Sequence, residues 1–477
     1  MSMNMIEFNF SSKSLKQSLK HSFGQSLRQS VPRTFSMLFL SVLFSLVLLA
    51  FITTSSVMAS ESLVSGSPSL GTMDADSAAG PFLRLNELLI RADELNPQLR
   101  SAHAQWQAAL ERAPQVSSMP DPRFTYGYFV ESVQTRTGPQ KHKIGISQTF
   151  PGSGKLSLRE KMALHEADAM YQEYVQARLK LIQEIRSAFH EYGYLHEAIR
   201  VSRQHMNLLK GMESVASLRF SSGNASQNAL IQIQVEQGKL EDRIIELEAL
   251  RKPLSSNLIA AVGSGETGLL PWPDKGESEL LQIQQNALKN QLSELNPMLK
   301  KLRSLGKGAD SAVRLAERNF RPDLTFGLEF IDVDGGRDPM IAMISFNLPV
   351  HRAPLQAARR EAVKRRESID ENITEQQNRL QGRLDLAIHY FHDALRKNSL
   401  YRKTLVPKAQ QAIEVALRGF ESGVVSFAEL LDAERTLLEF QLMAQRQIAN
   451  AHKYLAEIDS IAGNDMIMNS GTVNSEQ

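Results

Sequence analysis

Glu94-Leu95-Asn96-Pro97 returns 200 positions later as Glu294-Leu295-Asn296-Pro297. Other residues are repeated at the same offset, namely Pro122, Thr125, Gly127, Phe220, Ser222, Gly223, Ser226 and Gly263, which match Pro322, Thr325, Gly327, Phe420, Ser422, Gly423, Ser426 and Gly463. Solenoid proteins repeat every 20 to 50 residues or so, which is much shorter. The sequence therefore predicts a duplicated unit of domain size, and we call its two halves copy one and copy two.

The composition excludes several classes of protein. The chain has 54 basic and 52 acidic residues, so no basic surplus indicates a nucleic-acid partner. It has no cysteine, which excludes disulfides, thiolate metal sites and cysteine nucleophiles. No constellation of nucleophile, base and metal ligands is visible either, so we predict a protein without catalytic activity, cofactor or bound metal.

The N-terminus has the features of a secretory signal. Basic residues precede an apolar run at 35–52, and small residues follow up to Ala59. We interpret 1–59 as a cleaved signal peptide, although the apolar run is also nearly long enough for a retained membrane anchor. The remaining boundaries that we predict are a linker at 60–85, structural repeats at 86–263 and 264–463, and a flexible tail at 464–477.

Two segments in each copy alternate between apolar and polar residues. We predict strands at about 123–133 and 142–150 in copy one, and at about 323–331 and 340–348 in copy two. Each has about the 9 to 11 residues that a tilted membrane strand needs. An ordinary sheet with one wet face would give the same pattern. Four strands are too few to close a barrel within one chain.

The rest of each copy reads as long helix. From 155 to about 220 there is no proline, and apolar residues recur at steps of three and four, as in a coiled coil. A similar stretch covers 355 to about 420, where Pro407 predicts a kink. After Gly223 and Gly423 the chain turns back into a second helix with its own heptads, which Pro253 weakens in copy one.

The turns between these helices are predicted to be the tips of long antiparallel hairpins. Ser226 and Ser426 occupy the N-cap position of the returning helix. Local capping would explain these serines without any further role. The residues that we single out at the tips are Phe220, Ser222, Gly223 and Ser226 in copy one, and Phe420, Ser422, Gly423 and Ser426 in copy two.

A signal sequence, a duplicated unit, paired strands and heptad hairpins with Phe-x-x-Gly-x-x-Ser tips together resemble the outer-membrane factor (TolC-like) family of bacterial efflux channels. The resemblance covers about 86 to 463. In addition, Phe150-Pro151-Gly152-Ser153-Gly154-Lys155-Leu156 is similar to the Phe-Pro-x-x-Gly-Lys-Leu segment common in heavy-metal and multidrug members. Copy two keeps only Leu348-Pro349 at that place.

The resemblance implies a mainly α fold with a small β part. In that family three protomers each contribute four membrane strands to one 12-stranded barrel, which continues into an α-helical tube in the periplasm. The implied partners are two further copies, outer-membrane lipid, a periplasmic adaptor (membrane fusion) protein that would dock at the tips at 218–228 and 417–428, and an inner-membrane efflux pump. The implied function is a passive exit duct in the outer membrane for small molecules or metal ions.

The resemblance also implies a gate. Family members bear two acidic residues, three apart, on the helix after the second tip, and the matching residues are Glu429 and Asp432. Threefold symmetry would make them two rings of carboxylates that attract cations. Val425 replaces a basic residue of a locking network in some relatives, so that network is not expected. The alternative is that both acids are solvated positions beside a heptad.

Two other functions fit parts of the sequence. A type I protein-secretion duct would use the same architecture. A periplasmic coiled-coil scaffold without a pore would explain the helices, but it would not need aromatic-rich strands of membrane-spanning length.

Overall fold

The computed structural model describes residues 82–136, 138–223, 226–274 and 283–464. Copy one contains helices α1 (Leu85–Leu95), α2 (Pro97–Leu110) and α3 (Arg112–Ser117), strands β1 (Arg123–Tyr128), β2 (Gln134–Thr135) and β3 (Gly138–Phe150), and helices α4 (Lys155–Ser221), α5 (Gln227–Ala249) and α6 (Arg251–Val262). Copy two contains α7 (Gln285–Leu295), α8 (Pro297–Arg318), β4 (Leu324–Val333), β5 (Met340–Phe346), α9 (Arg352–Leu400), a π-helical turn (Tyr401–Leu405), α10 (Val406–Ser422) and α11 (Phe427–Ala462).

The longest element, α4, has 67 residues, as the proline-free stretch predicts. At 1.5 Å per residue it is about 100 Å long. Its heptad residues Ile185, Tyr192 and Leu195 are almost fully buried, so the apolar periodicity marks the side that packs against other helices. The return helix of copy one breaks at Leu250, just before Pro253, into α5 and α6, whereas α11 is continuous.

Pro407 does not break the long helix of copy two. The π-helical turn Tyr401–Leu405 precedes it, and Pro407 then lies in the first turn of α10. Proline has no N–H and its ring clashes with the preceding helical turn, and a wider π turn accommodates both defects. The predicted kink is thus realised as a π-helical turn between α9 and α10.

The Leu-Asn-Pro motif closes each copy in the same way. Asn96 caps α2 by accepting the backbone N–H of Leu99 at 3.0 Å, and its side-chain amide donates to the carbonyl of Ala261 at the end of α6 at 2.8 Å. In copy two, Asn296 caps α8 and donates to Ile461 at the end of α11, also at 2.8 Å. The motif therefore ties the start of each copy to its end.

Gly263 and Gly463 end these helices in the left-handed conformation, with φ of +77° and +81°. An added Cβ at Gly263 would lie 2.8 Å from the Cα of Asn96, and one at Gly463 would lie 2.8 Å from the carbonyl of Leu295. Backbone conformation and close approach thus both require glycine at these two positions.

The strands form one antiparallel sheet in the order β1-β3-β4-β5, with β2 paired to the start of β3. Strands β3 and β4 join the two copies along ten residue pairs, from Gln140↔Val333 to Phe150↔Leu324. The outer strands β1 and β5 each have one unpaired edge within the described residues. The first predicted strand is too long, because β1 ends at Tyr128, whereas β3 begins four residues before its predicted start.

The two faces of the sheet differ in polarity, as the alternation predicts. Neighbours across the strands, such as Phe124, Ile146 and Leu328, are in register and share one face. The exposed apolar side chains on that face are Phe124, Tyr126, Tyr128, Ile146, Phe150, Leu324, Phe326, Leu328, Met340, Ile344 and Phe346. The opposite face is more polar and carries an ion pair between Lys143 and Glu329 (2.6 Å). We call the first the apolar sheet face.

The mainly α fold with a small β part is thus as predicted. Nearly all of the predicted signal peptide, linker and tail, namely 1–81 and 465–477, lies outside the described residues. The boundary between the two structural repeats, placed at 263/264, stays a prediction.

Candidate functional site: helix tips and an acidic pair

The two predicted tips have closely related conformations. Gly223 and Gly423 are both left-handed, with φ of +75° and +81°. The hydroxyl of Ser222 donates to the carbonyl of Arg219, and that of Ser422 donates to the carbonyl of Gly419. The repeated Ser-Gly pair therefore ends both α4 and α10 with the same hydrogen bond and the same backbone turn.

The serines that begin the returning helices differ. Ser426 forms a complete capping box with α11, since its hydroxyl accepts the N–H of Glu429 at 3.3 Å while the Glu429 carboxylate accepts the N–H of Ser426 at 3.4 Å. Ser226 occupies the N-cap position of α5 but makes no such side-chain bond. Local capping thus explains Ser426 and does not explain Ser226.

The second tip is tightly closed. The carbonyl of Gly419 accepts the backbone N–H groups of Val424 and Val425, at 2.8 and 3.1 Å. An added Cβ at Gly419 would lie 2.3 Å from a methyl carbon of Val425. Val425, which stands where some relatives have a basic residue, therefore serves here to pack the turn against Gly419.

The hairpins of both copies pack together at their tips. Residues of α4, α5, α10 and α11 share one apolar core, to which Met212, Ile233 and Leu430 belong. The Arg219 guanidinium lies 4.9 Å from the ring centroid of Phe420, which also makes an edge-to-face contact with Phe427. Phe420 is buried in this core, whereas its counterpart Phe220 is 43% exposed. Of the two repeated phenylalanines, only Phe220 presents much of its ring at the surface.

The acidic pair Glu429 and Asp432 lies one helical turn apart at the start of α11, and both residues are exposed. The next turn carries Arg435, which pairs with Glu236 of α5 at 3.1 Å. The hydrogen bond from Arg435 holds the pKa of Glu236 below its usual range. The hydrogen bond to Glu236 is the main reason that the pKa of Arg435 is raised, and the charges of Asp432 and Glu434 contribute to it. The counterparts of the acidic pair, Ala229 and Gln232, carry no charge.

A buried polar cluster between α4 and α11 was not predicted. His205 and Glu434 are 3% and 2% exposed, and Nδ1 of His205 lies 2.7 Å from Oε1 of Glu434. On the other side of the ring, Nε2 lies 3.2 Å from Oε1 of Gln441. Glu434 lies four residues after Leu430 and three before Leu437. A charged residue at an apolar heptad position was therefore the one sign in the sequence of a buried polar cluster.

The Phe-Pro-x-x-Gly-Lys-Leu segment forms the junction between β3 and α4. Lys155 is buried, and its Nζ lies 2.7 Å from Oδ1 of Asp323 and 2.9 Å from the carbonyl of Arg321. The same Asp323 oxygen accepts the N–H of Gly152 at 2.6 Å. Asp323 and Arg321 connect α8 to β4, so this segment fastens the strand-to-helix junction of copy one to the helix-to-strand junction of copy two.

Two histidines between α4 and α11 are stacked face to face, His190 and His452, with ring centroids 4.1 Å apart. Burial lowers the pKa of His190 to about 3 and that of His452 to about 4. Both imidazoles are therefore neutral near pH 7. In the described part of the chain, no group of three or more histidine, aspartate or glutamate side chains is arranged to hold a metal ion.

The duplicated hairpins, the four-stranded sheet and the paired tips define the fold of an outer-membrane efflux channel. Residues 88–264 match the family model "Outer membrane efflux protein". The chain is 23% identical to the cobalt-zinc-cadmium resistance protein CzcC of Cupriavidus metallidurans over 398 residues, which cover 81% of this chain and 91% of CzcC.

Solved structures agree with this fold. The outer membrane protein VceC of Vibrio cholerae has a TM-score of 0.63 at 18% identity, over 80% of this chain and 96% of VceC. CusC has a TM-score of 0.65 at 15% identity, over 82% of this chain and 94% of CusC. The chain is thus similar to outer-membrane efflux proteins in its first copy and shares the fold of solved outer-membrane channels over most of its length. None of the described helices is long and apolar enough to cross a membrane.

Proposed function

We propose that this chain is the outer-membrane component of a tripartite efflux system. Three copies would form a passive exit duct for small molecules or metal ions, which an inner-membrane pump and a periplasmic adaptor deliver to its periplasmic end. The observation that carries this proposal is the sheet, with an apolar face exposed along all four main strands and an unpaired edge at β1 and at β5.

A sheet of this kind is incomplete as a single chain. Its apolar face would be exposed to water, and backbone groups at its two edges would lack partners, which is costly in a membrane. Pairing β5 of one copy with β1 of the next satisfies both edges, and three copies supply the twelve strands of a closed barrel. A pore-free periplasmic scaffold offers no reason for the exposed aromatic residues Phe124, Tyr126 and Tyr128.

The tips are the proposed docking sites for the adaptor. They lie at the ends of the hairpins farthest along the chain from the sheet. The residues proposed for contact remain those singled out from the sequence. Among them, the Phe220 ring is partly exposed and the Ser226 hydroxyl does not cap its helix, so both side chains are available to the adaptor. In contrast, Phe420 contributes to the core beneath the second tip.

The proposed gate consists of Glu429 and Asp432. Their exposure on one face of α11 supports a role outside the coiled-coil core. In a trimer with its axis along these helices, each position would repeat three times and concentrate negative charge, which would favour cations and repel anions. Glu429 combines this proposed role with the capping of its own helix.

The name of CzcC makes cobalt, zinc and cadmium ions the first substrates to test. A duct would need no fixed binding site for them, because the ions would be passed on in solution. The negative charge at the proposed gate suits divalent cations better than anionic drugs or most proteins, which favours metal export over type I protein secretion.

The test is to express the full chain in a Gram-negative host, separate inner from outer membranes, crosslink the outer-membrane fraction, and reconstitute it in planar bilayers. We expect crosslinked trimers with discrete, cation-selective conductance. Expression together with a matching pump and adaptor should raise the tolerated concentration of zinc or cadmium. A monomer that conducts no ions would overturn the proposed duct. A conducting trimer that changes resistance to no metal or drug would overturn the proposed efflux role alone.

A further inference from the structure

Basic residues are concentrated where the helices meet the sheet. The segments 112–122, 151–161, 314–323 and 347–361 adjoin the helical end of the strands and contain ten basic and five acidic residues. The segments 129–141 and 332–339 adjoin the opposite end and contain three basic and four acidic residues. The formal charge near the sheet thus changes from +5 at its helical end to −1 at its far end.

Part of the positive charge is used within the fold. Lys155 pairs with Asp323, and Arg359 pairs with Glu317 at 3.0 Å. Six others are exposed and form no ion pair with any described residue: Arg159, Lys161, Arg314, Arg321, Arg352 and Arg360. We call the four arginines Arg159, Arg321, Arg352 and Arg360 the basic belt. Because internal ion pairs do not account for them, their charge is available to a partner.

The position of one belt residue is unfavourable for the helix that carries it. Arg352 is the first residue of α9. The N-terminus of a helix carries partial positive charge, which favours acidic and disfavours basic side chains. The first turn of α9 has no acidic residue. Helix formation therefore does not explain why Arg352 is there.

The belt adjoins the apolar sheet face. Phe150, Leu324 and Phe346 form the last row of that face at its helical end. Arg352 follows Phe346 by six residues, and Arg360 lies about 12 Å further along α9 at 1.5 Å per residue. The headgroup regions of a bilayer together add about 10 to 15 Å to its hydrocarbon core. About half of that, roughly 5 to 7 Å, lies on each side. When the apolar face lies in the hydrocarbon, Arg352 is therefore at the headgroup layer on the periplasmic side, whereas Arg360 is beyond that layer and only its long side chain can extend back toward the phosphates.

We propose that the basic belt binds anionic phospholipid headgroups of the periplasmic leaflet of the outer membrane. The guanidinium groups of Arg159, Arg321, Arg352 and Arg360 would donate hydrogen bonds to phosphodiester oxygens. The matching chemistry is a phosphate with acyl chains attached, because the basic belt and the apolar sheet face are adjacent and one lipid molecule can contact both. This contact would fix the depth and the orientation of the channel in the membrane.

The test compares two lipids with identical acyl chains, phosphatidylglycerol and phosphatidylcholine, added to the full-length protein in neutral detergent. Thermal stability is followed at low and at high salt, and bound lipid is counted by native mass spectrometry. At low salt we expect phosphatidylglycerol to bind about ten-fold or more tightly than phosphatidylcholine. High salt should remove most of that difference. Inorganic phosphate at the same concentration should not replace the lipid.

A variant with glutamine at all four belt positions should lose the preference for phosphatidylglycerol and still bind phosphatidylcholine as before. The control variant has glutamine at four exposed basic positions remote from the sheet, Lys210, Arg379, Lys403 and Lys408, and should retain the preference. If the belt variant does not fold, the single variants Arg352→Gln and Arg360→Gln are measured instead. Equal binding of both lipids by the unmodified protein would overturn the proposal. An equal loss of the preference for phosphatidylglycerol in the control variant would also overturn it. Loss of trimers in the belt variant without added lipid would overturn it as well, because these arginines would then be contacts between copies.

Discussion

Lys155 and Asp323 join the two copies where the helices meet the sheet, with Nζ 2.7 Å from Oδ1. The Lys155 side chain is 6% exposed, and it also donates to the carbonyl of Arg321. This pair explains why the chain has a lysine directly after Gly154 although helix α4 would accept many residues there. The buried ammonium needs the carboxylate of the other copy, and the carboxylate in turn positions the N–H of Gly152.

We therefore expect Lys155→Met to destabilise the protein by about 1 to 3 kcal/mol, because it removes the buried partner of an ion pair whose aspartate is 31% exposed. The measurement is thermal or denaturant unfolding in detergent. Lys161→Met, on the exposed surface of the same helix, is the control and should change stability by less than about 0.5 kcal/mol. Equal effects of the two substitutions would show that the ion pair contributes nothing.

Two glycines should respond to alanine in opposite directions. At Gly152 a Cβ would lie 2.9 Å from the carbonyl oxygen of Pro322, whereas at Gly211, inside α4, it would meet no atom within 4 Å. Gly152→Ala should lower the free energy of unfolding by about 1 to 3 kcal/mol, and Gly211→Ala should raise it by about 0.5 to 1 kcal/mol. Unfolding of both variants under one set of conditions checks this, and a stabilised Gly152→Ala would contradict the packing at the junction.

Much of this architecture could be predicted from the sequence. The 200-residue repeat, the proline-free stretch and the strand alternation each follow from periodicity, and the structure has the corresponding elements. The boundaries of β1 and β3 could not be predicted, because residues 129–136 remain rich in strand-forming side chains after the pairing of β1 with β3 ends at Tyr128↔His142. The side-chain contacts His205–Glu434 and Lys155–Asp323 were not predicted, since sequence periodicity does not identify which distant residues come into contact.

The His205–Glu434 pair should show strong coupling. His205→Leu leaves a buried carboxylate with no partner on the imidazole side, which should cost about 3 kcal/mol or more. The double variant His205→Leu, Glu434→Leu replaces both polar groups with apolar ones and should recover most of that loss. A double-mutant cycle of unfolding free energies measures the coupling. If the two single losses simply add, the residues contribute independently and the pair has no special role.

Stability should fall in acid because of His190 and His452. Burial lowers the pKa of both below the value of about 6.5 expected in the unfolded chain. The unfolded state therefore binds more protons below pH 6.5, and each histidine should cost up to about 1.4 kcal/mol per pH unit until its folded pKa is reached. Above pH 6.5 both imidazoles are neutral in the folded and the unfolded chain, and the fold has its full stability. That stability is lost as the pH falls toward the folded pKa values of about 4 and about 3.

This loss can be assigned by substitution. Replacing both histidines with phenylalanine keeps a stacked aromatic pair but removes the titration, so unfolding between pH 4.5 and 7 should become less dependent on pH. His351→Gln, which changes an exposed histidine before α9, is the control and should keep the original slope. An unchanged slope in the double phenylalanine variant would mean that other groups cause the acid sensitivity.

Glu429 has one observed role and one proposed role, and the gate prediction depends on separating them. Its carboxylate caps α11 together with Ser426, and it is also proposed to form one of two rings of carboxylates. Glutamine can keep the capping box but not the charge. We therefore expect Glu429→Gln with Asp432→Asn to retain thermal stability within about 0.5 kcal/mol while lowering the cation selectivity of reconstituted channels several-fold. Glu429→Ala should reduce both, because it also removes the cap, at a cost of about 1 kcal/mol.

Gln232→Ala in copy one, at the position that matches Asp432, is the control for conductance. If the amide variants conduct cations as selectively as the unmodified channel, the acidic pair is a solvated cap of α11 and the selectivity arises elsewhere in the duct.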